Sequence, residues 1–138
     1  MGMYKKIAVA IDFSEGSKKA FQKAVELAKM NQAALSIVHV VDTKTFGSIA
    51  AYDLKYAAEL REKAEDELAK MKEEAEKAGV ANVEILVKEG AAKSVLTNLE
   101  TDLIVCGATG LNRLEKLVVG SVAERIVRNS KYDVFIVR

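Results

Sequence analysis

The chain has 138 residues, of which 50% are apolar and 30% are charged, a composition typical of one ordinary globular domain. The net charge of +1 gives no overall field that favours nucleic acid or an anionic membrane, and the single cysteine excludes an internal disulfide. No apolar run approaches the roughly 18 residues of a membrane span, and no secretory signal pattern is visible. We therefore expect one domain over residues 1–138, soluble and cytoplasmic, with neither a nucleic-acid nor a membrane partner.

The first part of the chain alternates strand and helix patterns. The apolar, β-branched segment 5–12 predicts a strand. Residues 14–31 carry apolar positions at helical spacing behind Ser14, a candidate N-cap, and predict a helix. The nearly continuous apolar run 34–42 is typical of a strand buried on both faces.

The middle of the chain continues this alternation after a predicted loop over residues 43–50. Residues 52–79 carry one apolar stripe at helical spacing, and Gly79 stands where a helix C-cap belongs, so this segment predicts a long helix. Residues 82–90 predict a strand, and residues 91–100 predict a short helix.

The last part of the chain predicts a strand over 101–107, a helix over 121–130 and a strand over 132–138. Strands that alternate with helices imply an α/β fold, in which parallel strands are joined by right-handed crossovers and helices cover both faces of the sheet. In such sheets the ligand site lies beyond the carboxyl ends of the strands, where the strand order reverses. This rule directs attention to Asp12 and Gly107, at the ends of the first and fourth strands.

A glycine-rich connection follows the predicted fourth strand, with Gly107, Gly110 and Gly120 preceding Ser121. Glycine permits a positive φ and a close approach to a ligand, and successive backbone N–H groups can form an anion-binding nest. A helix that begins at Ser121 adds unpaired N–H groups that favour a phosphate. The alternative is structural, because Ser121 and Glu124 also form a capping box that satisfies the helix's own amides. The two roles can coexist.

The spacing G-x2-G-x9-G-[ST], formed by Gly107, Gly110, Gly120 and Ser121, resembles the nucleotide-binding signature of the universal stress protein family. The resemblance extends over nearly the whole chain. Other segments resemble the family's strands and helices in chain order: MYKKIAVAIDFSEGSKKA, SIVHVVD, LVKEG, DLIVCGATG and VGSVAERIVRNSKYDVFIVR.

The resemblance implies a five-stranded parallel sheet in the order 3-2-1-4-5, Rossmann-like or flavodoxin-like and similar to that of the adenine nucleotide alpha hydrolases. It implies a homodimer as well. Because members with the full glycine pattern are similar to ATP-binding proteins, it also implies ATP or another adenine nucleotide, with Mg²⁺ or Mn²⁺.

The resemblance also implies a set of nucleotide-binding residues. Asp12 would lie beside the ribose or the metal-bound phosphates, and the backbone of Val40 would contact the adenine edge. The glycines and the residues after them would approach the ribose and hold the phosphates. The implied residues are Ala10, Ile11, Asp12, Val40, Gly107, Gly110, Gly120, Ser121 and Val122.

The remaining distinctive residues have structural interpretations. Asp12 can simply cap the turn that follows its strand. His39, the only histidine, is predicted to be a hydrogen-bonded core residue, and Cys106 a small packing residue. The apolar run 134–137 predicts an edge strand, which favours pairing with a second copy of the chain.

Together with the residue patterns, the resemblance favours an ATP-binding regulatory or stress-response module, for which no catalytic residue is predicted. One alternative is a slow ATP hydrolase or nucleotide-cleaving enzyme, for which no general base other than Asp12 is visible near the glycines. The other alternative is a dimeric interaction protein with an unoccupied pocket. A Walker A loop is excluded, because the sequence contains no G-x4-G-K-[ST] segment.

Overall fold

The computed structural model describes residues 3–42, 50–108, 126–128 and 130–138. Residues 126–128 are helical. The other elements, in chain order, are β1 (Lys6–Ala10), α1 (Glu15–Asn31), β2 (Ala34–Asp42), α2 (Ala50–Ala78), β3 (Val83–Gly90), α3 (Ala92–Leu96), β4 (Leu103–Gly107) and β5 (Asp133–Val137).

The five strands form one parallel sheet in the order β3-β2-β1-β4-β5. β1 is central: Ala10 pairs with Val38 of β2, and Val9 pairs with Val105 of β4. The predicted sheet and strand order are therefore confirmed, and the order matches the first five positions of the Rossmann arrangement.

Helices cover both faces of this sheet, as predicted. Phe21 of α1 and Leu68 of α2 are buried against the same side of β1 and β2, in a cluster that includes Ile7 and Ile37. Leu96 of α3 and Ile126 are buried on the opposite side, against Ala8, Val38 and Ile104. The chain steps from β1 to β3 in one direction and then returns to β4. Right-handed crossovers on the two sides of such a reversal put their helices on opposite faces.

The helix ends agree with the predicted signals. Ser14 is the N-cap of α1, and its hydroxyl oxygen accepts a hydrogen bond from the Ser17 N–H at 3.2 Å. α2 ends at Ala78, and Gly79 follows with φ 114°, a conformation that glycine adopts without a Cβ clash. β1 is shorter than predicted, because the chain turns after Ile11 rather than continuing as a strand to Asp12.

A carboxylate links the starts of β1 and β4 at the amino-terminal edge of the sheet. Asp102, just before β4, accepts hydrogen bonds from the backbone N–H groups of Lys5 and Lys6, both at 3.0 Å. These hydrogen bonds lower the pKa of Asp102 below its ordinary value. They connect the start of β4 to the start of β1, and so help to align the two strands whose opposite ends form the switch point. None of the helices in the described part of the chain combines the length and apolar content needed to cross a membrane.

Candidate functional site

The carboxyl ends of β1 and β4 lie side by side at the point where the strand order reverses. The pairs Ile7–Leu103 and Val9–Val105 set the register, and the next step of that register puts Ile11 level with Gly107. Asp12 follows directly. The two positions to which the sequence directed attention are therefore neighbours in space, at the edge of the sheet where open α/β folds bind ligands.

A chain of hydrogen bonds holds the Asp12 turn. The carboxylate oxygen Oδ1 of Asp12 accepts from the Ser14 N–H at 3.0 Å and also from the Ser14 hydroxyl. That hydroxyl, whose residue is only 4% exposed, in turn accepts from the Ser17 N–H. The turn-capping role predicted for Asp12 is thus observed. It uses one carboxylate oxygen, and Oδ2 makes no hydrogen bond with any residue that the structure describes.

His39 lies beside this turn. Its Nδ1 atom is 2.7 Å from the carbonyl oxygen of Ile11, and its ring centroid is 4.8 Å from that of Phe13. Phe13 has φ 65°, which is uncommon for a residue other than glycine. The predicted hydrogen bond of His39 is present, but the core location was wrong: the side chain is half-buried beside the turn rather than enclosed by the core. The sequence offered no signal for this contact beyond the fact that His39 is the only histidine.

The backbone of Val40 extends past the end of β1. Val38 is the last β2 residue paired with β1, and its carbonyl oxygen accepts from the Ile11 N–H at 2.8 Å. Residues two apart in a parallel strand direct their N–H and C=O groups toward the same neighbour. The N–H and C=O of Val40 are therefore directed toward the side of β2 on which β1 lies, level with the residues that follow Ala10.

Gly107 is a glycine for a structural reason that the sequence did not indicate. A Cβ atom there would lie 2.7 Å from the carbonyl carbon and 2.8 Å from the carbonyl oxygen of Gly16, in the first turn of α1. Its φ is not in the positive range; among the described glycines only Gly79 and Gly90 have a positive φ. The predicted freedom to adopt a positive φ is therefore not used at Gly107. The sequence contained one hint of this contact. Gly16 lies inside the predicted helix 14–31, where a glycine costs stability unless close packing requires it.

The structure brings together five of the predicted nucleotide-binding residues. Ala10, Asp12, Val40 and Gly107 are half-buried, and Ile11 is buried. Gly110, Gly120, Ser121 and Val122 lie outside the described residues.

The titratable groups near this edge constrain its chemistry. No group of three or more His, Cys, Asp or Glu residues that could hold a metal ion occurs within the described ranges. Cys106, one residue before the end of β4, is buried, and this burial raises the pKa of its thiol to about 11. The thiol is therefore protonated near neutral pH, which agrees with the predicted packing role.

A separate groove of about 350 Å³ lies between α2 and the outer strand β3. It is lined by Arg61, Glu65 and residues 85–88. Arg61 pairs with Glu65 at 3.2 Å and lies 3.6 Å from Glu89, so its charge is already compensated. This groove is on the far side of β2 from the switch point and is not lined by Asp12.

The sequence model of the universal stress protein family matches residues 3–138. The chain belongs to the universal stress protein family. A relative from Staphylococcus saprophyticus, assigned by name to the same family, is 42% identical over 140 aligned positions that cover 98% of this chain and 84% of the relative.

Solved universal stress proteins share the fold. The protein UspA from Lactobacillus plantarum is 26% identical with a TM-score of 0.92, and the match covers 100% of both chains. Another universal stress protein, solved in complex with cAMP, is 27% identical with a TM-score of 0.66, and the match covers 98% of this chain and 97% of that one.

We predict that Gly107→Ala lowers the free energy of unfolding of this universal stress protein by about 1–3 kcal/mol, because the new methyl group must displace the Gly16 backbone. Urea denaturation measures this loss. Gly107→Val provides a graded comparison and should destabilise the fold further. Unchanged stability in both variants would contradict the close contact between β4 and α1.

Proposed function

We propose that this universal stress protein binds ATP at the carboxyl ends of β1 and β4, as a nucleotide-binding regulatory or stress-response module. The observation that carries the proposal is the convergence of three groups at the switch point: the backbone of Val40, which has no β1 partner among the described residues, the half-buried carboxylate of Asp12 and the glycine end of β4. The family member solved with cAMP, an adenine nucleotide, supports the choice of ligand class.

In this proposal the adenine ring contacts Val40. Adenine offers an N–H donor and a ring-nitrogen acceptor along one edge, and the C=O and N–H of one strand residue can meet both. Ala10 and Ile11 form the wall of the pocket at the end of β1. This arrangement resembles the addition of one more element to a sheet, in which main-chain hydrogen bonds supply affinity.

Asp12 is proposed to serve the ribose or the metal-bound phosphates through Oδ2, the oxygen that the turn leaves unused. A single carboxylate suits Mg²⁺ or Mn²⁺, since Mg²⁺ is commonly bound by one or two carboxylates together with substrate phosphates. By resemblance to the family, Gly107 and Gly110 would approach the ribose and the phosphates. Gly120, Ser121 and Val122 would hold the phosphate chain. The metal would neutralise phosphate charge, and no catalytic residue is assigned.

We predict that MgATP binds in a ratio of one per subunit and raises the melting temperature. A ligand at about 100 times its Kd stabilises the folded state by about 2.7 kcal/mol. Isothermal titration calorimetry gives the ratio, and a thermal melt gives the shift. The absence of both heat and a melting shift at millimolar MgATP would reject the proposal and favour an interaction protein with an unoccupied pocket.

We predict that Asp12→Asn weakens MgATP binding about ten-fold or more, because hydrogen bonds and contacts to a charged group contribute about 1.5–3 kcal/mol. Asparagine retains an oxygen that can accept from the Ser14 N–H, so the turn should persist. Asp66→Asn, an exposed position on α2, removes the same charge away from the crevice and serves as the control. Equal affinities in both variants would argue against a role for the Asp12 carboxylate.

We also propose that two copies of the chain form a homodimer through β5. β5 lies at one edge of the sheet, and among the described strands it is paired only with β4. Its segment DVFIV is apolar after Asp133, and Phe135 is 38% exposed. An apolar edge strand favours pairing with another strand, and a two-fold dimer satisfies both edges with the same surface.

We predict that Phe135→Glu converts the dimer to a monomer, because like charges facing each other across a strand pair are destabilising. Light scattering coupled to size exclusion measures the mass. Phe135 is a better position than Ile136, which packs against the core cluster on one face of the sheet. Lys88→Glu on the opposite edge strand β3 is the control. A Phe135→Glu protein that stays dimeric would rule out pairing through β5.

A further inference from the structure

The hydrogen bonds between β1 and β2 follow a regular order up to Val38. Ala10 and Val38 are the last paired residues, and the Ile11 N–H donates to the Val38 carbonyl at 2.8 Å. In a parallel ladder, every second residue of one strand bonds to the two residues that flank its partner. The next hydrogen bond in this order would run from the Val40 N–H to the Ile11 carbonyl.

That hydrogen bond does not form within the described part of the chain. The Ile11 carbonyl oxygen instead lies 2.7 Å from Nδ1 of His39, the residue before Val40. A carbonyl oxygen can only accept, so Nδ1 of His39 must carry a proton and act as the donor. The carbonyl that would be the next acceptor of the ladder is thus hydrogen-bonded to the side chain of His39.

The imidazole ring also contacts an aromatic side chain of the turn. Phe13 contacts it with a centroid separation of 4.8 Å and an angle of 39° between the rings. Phe13 adopts its uncommon φ of 65° in the turn between Asp12 and Ser14, which is fixed by hydrogen bonds to the Asp12 carboxylate. The turn that presents Asp12 and the contact that orients His39 are therefore parts of one unit.

We propose that His39 is a positioning residue for the nucleobase: by donating to the Ile11 carbonyl it ends the pairing of β1 with β2 and leaves the Val40 N–H for the ligand. This inference rests on the proposed binding of ATP. In this arrangement the side chain of His39 does not contact adenine. It keeps the N–H of Val40 available, and that N–H contacts the base. A buried or pocket-facing N–H without a protein partner gains more from a ligand acceptor than one already paired.

The first experiment needs no nucleotide. Amide hydrogen exchange of the wild-type protein, followed by NMR, compares Val40 with Val38, which is paired within the ladder. The Val40 amide should exchange much faster than that of Val38. A ¹⁵N spectrum of the ring should show the proton on Nδ1. Equal protection of the two amides would overturn the proposal.

Two substitutions separate the donor from the ring. His39→Asn retains an N–H near the position of Nδ1 but lacks the ring, whereas His39→Phe retains a ring and lacks the donor. In His39→Phe the Val40 N–H is expected to turn to the Ile11 carbonyl, and the affinity for MgATP should fall about ten-fold, the effect of one lost hydrogen bond to the base. His39→Asn should bind within about two-fold of the wild type.

The ligand series distinguishes positioning from general damage. Inorganic tripolyphosphate lacks the base, so its affinity should be the same in the wild type and in His39→Phe, while the preference for ATP over GTP should fall. Equal losses of affinity for ATP and tripolyphosphate, or equal losses in both variants, would overturn the proposal.

If His39→Phe does not fold, the amide exchange of the wild type and the MgATP affinity of His39→Asn still test the proposal. If the wild type binds no MgATP, the proposed function fails separately, and the Val40 exchange rate alone decides whether His39 ends the ladder.

Discussion

The right-handed connections between parallel strands determine where each helix and the switch point of this protein lie. Right-handed crossovers put a helix on one face when the chain steps in one direction and on the other face when it steps back. α1 and α2 therefore share one face, whereas α3 and residues 126–128 cover the other. Between β1 and β4 the two sets of connections diverge, and in open α/β sheets the ligand crevice lies at the carboxyl ends of the two strands that flank such a reversal.

Residues at this crevice serve the fold at the same time as they shape the site. Asp12 caps its own turn with one oxygen and has a second oxygen without a described partner. Gly107 ends β4 and also lets the first turn of α1 approach within contact of the strand. A functional and a structural interpretation of these residues are therefore not exclusive. The strand end without a side chain permits the close approach of α1, the helix that follows the Asp12 turn.

The crevice also illustrates how a backbone group becomes available to a ligand. Main-chain N–H and C=O groups in a sheet normally satisfy one another, and a ligand can use them only where the ladder ends. Here the ladder of β1 and β2 ends at Ala10 and Val38, and the side chain of His39 takes the next acceptor. Adenine recognition by a backbone edge would then depend on a neighbouring side chain, which a list of ligand-contacting residues does not reveal.

Four features could be predicted from the amino-acid sequence: the alternation of strands and helices, the N-cap at Ser14, the C-cap glycine at position 79 and the resemblance to a family with a glycine-rich signature. These features are local, because periodicity and capping depend on residues within a few positions of one another. Three other features could not be predicted from the sequence: the contact between Gly107 and Gly16, the end of the ladder beyond Val38 and the half-buried location of His39. Each of these joins residues that are distant in sequence, so its geometry arises only when the sheet and helices pack together.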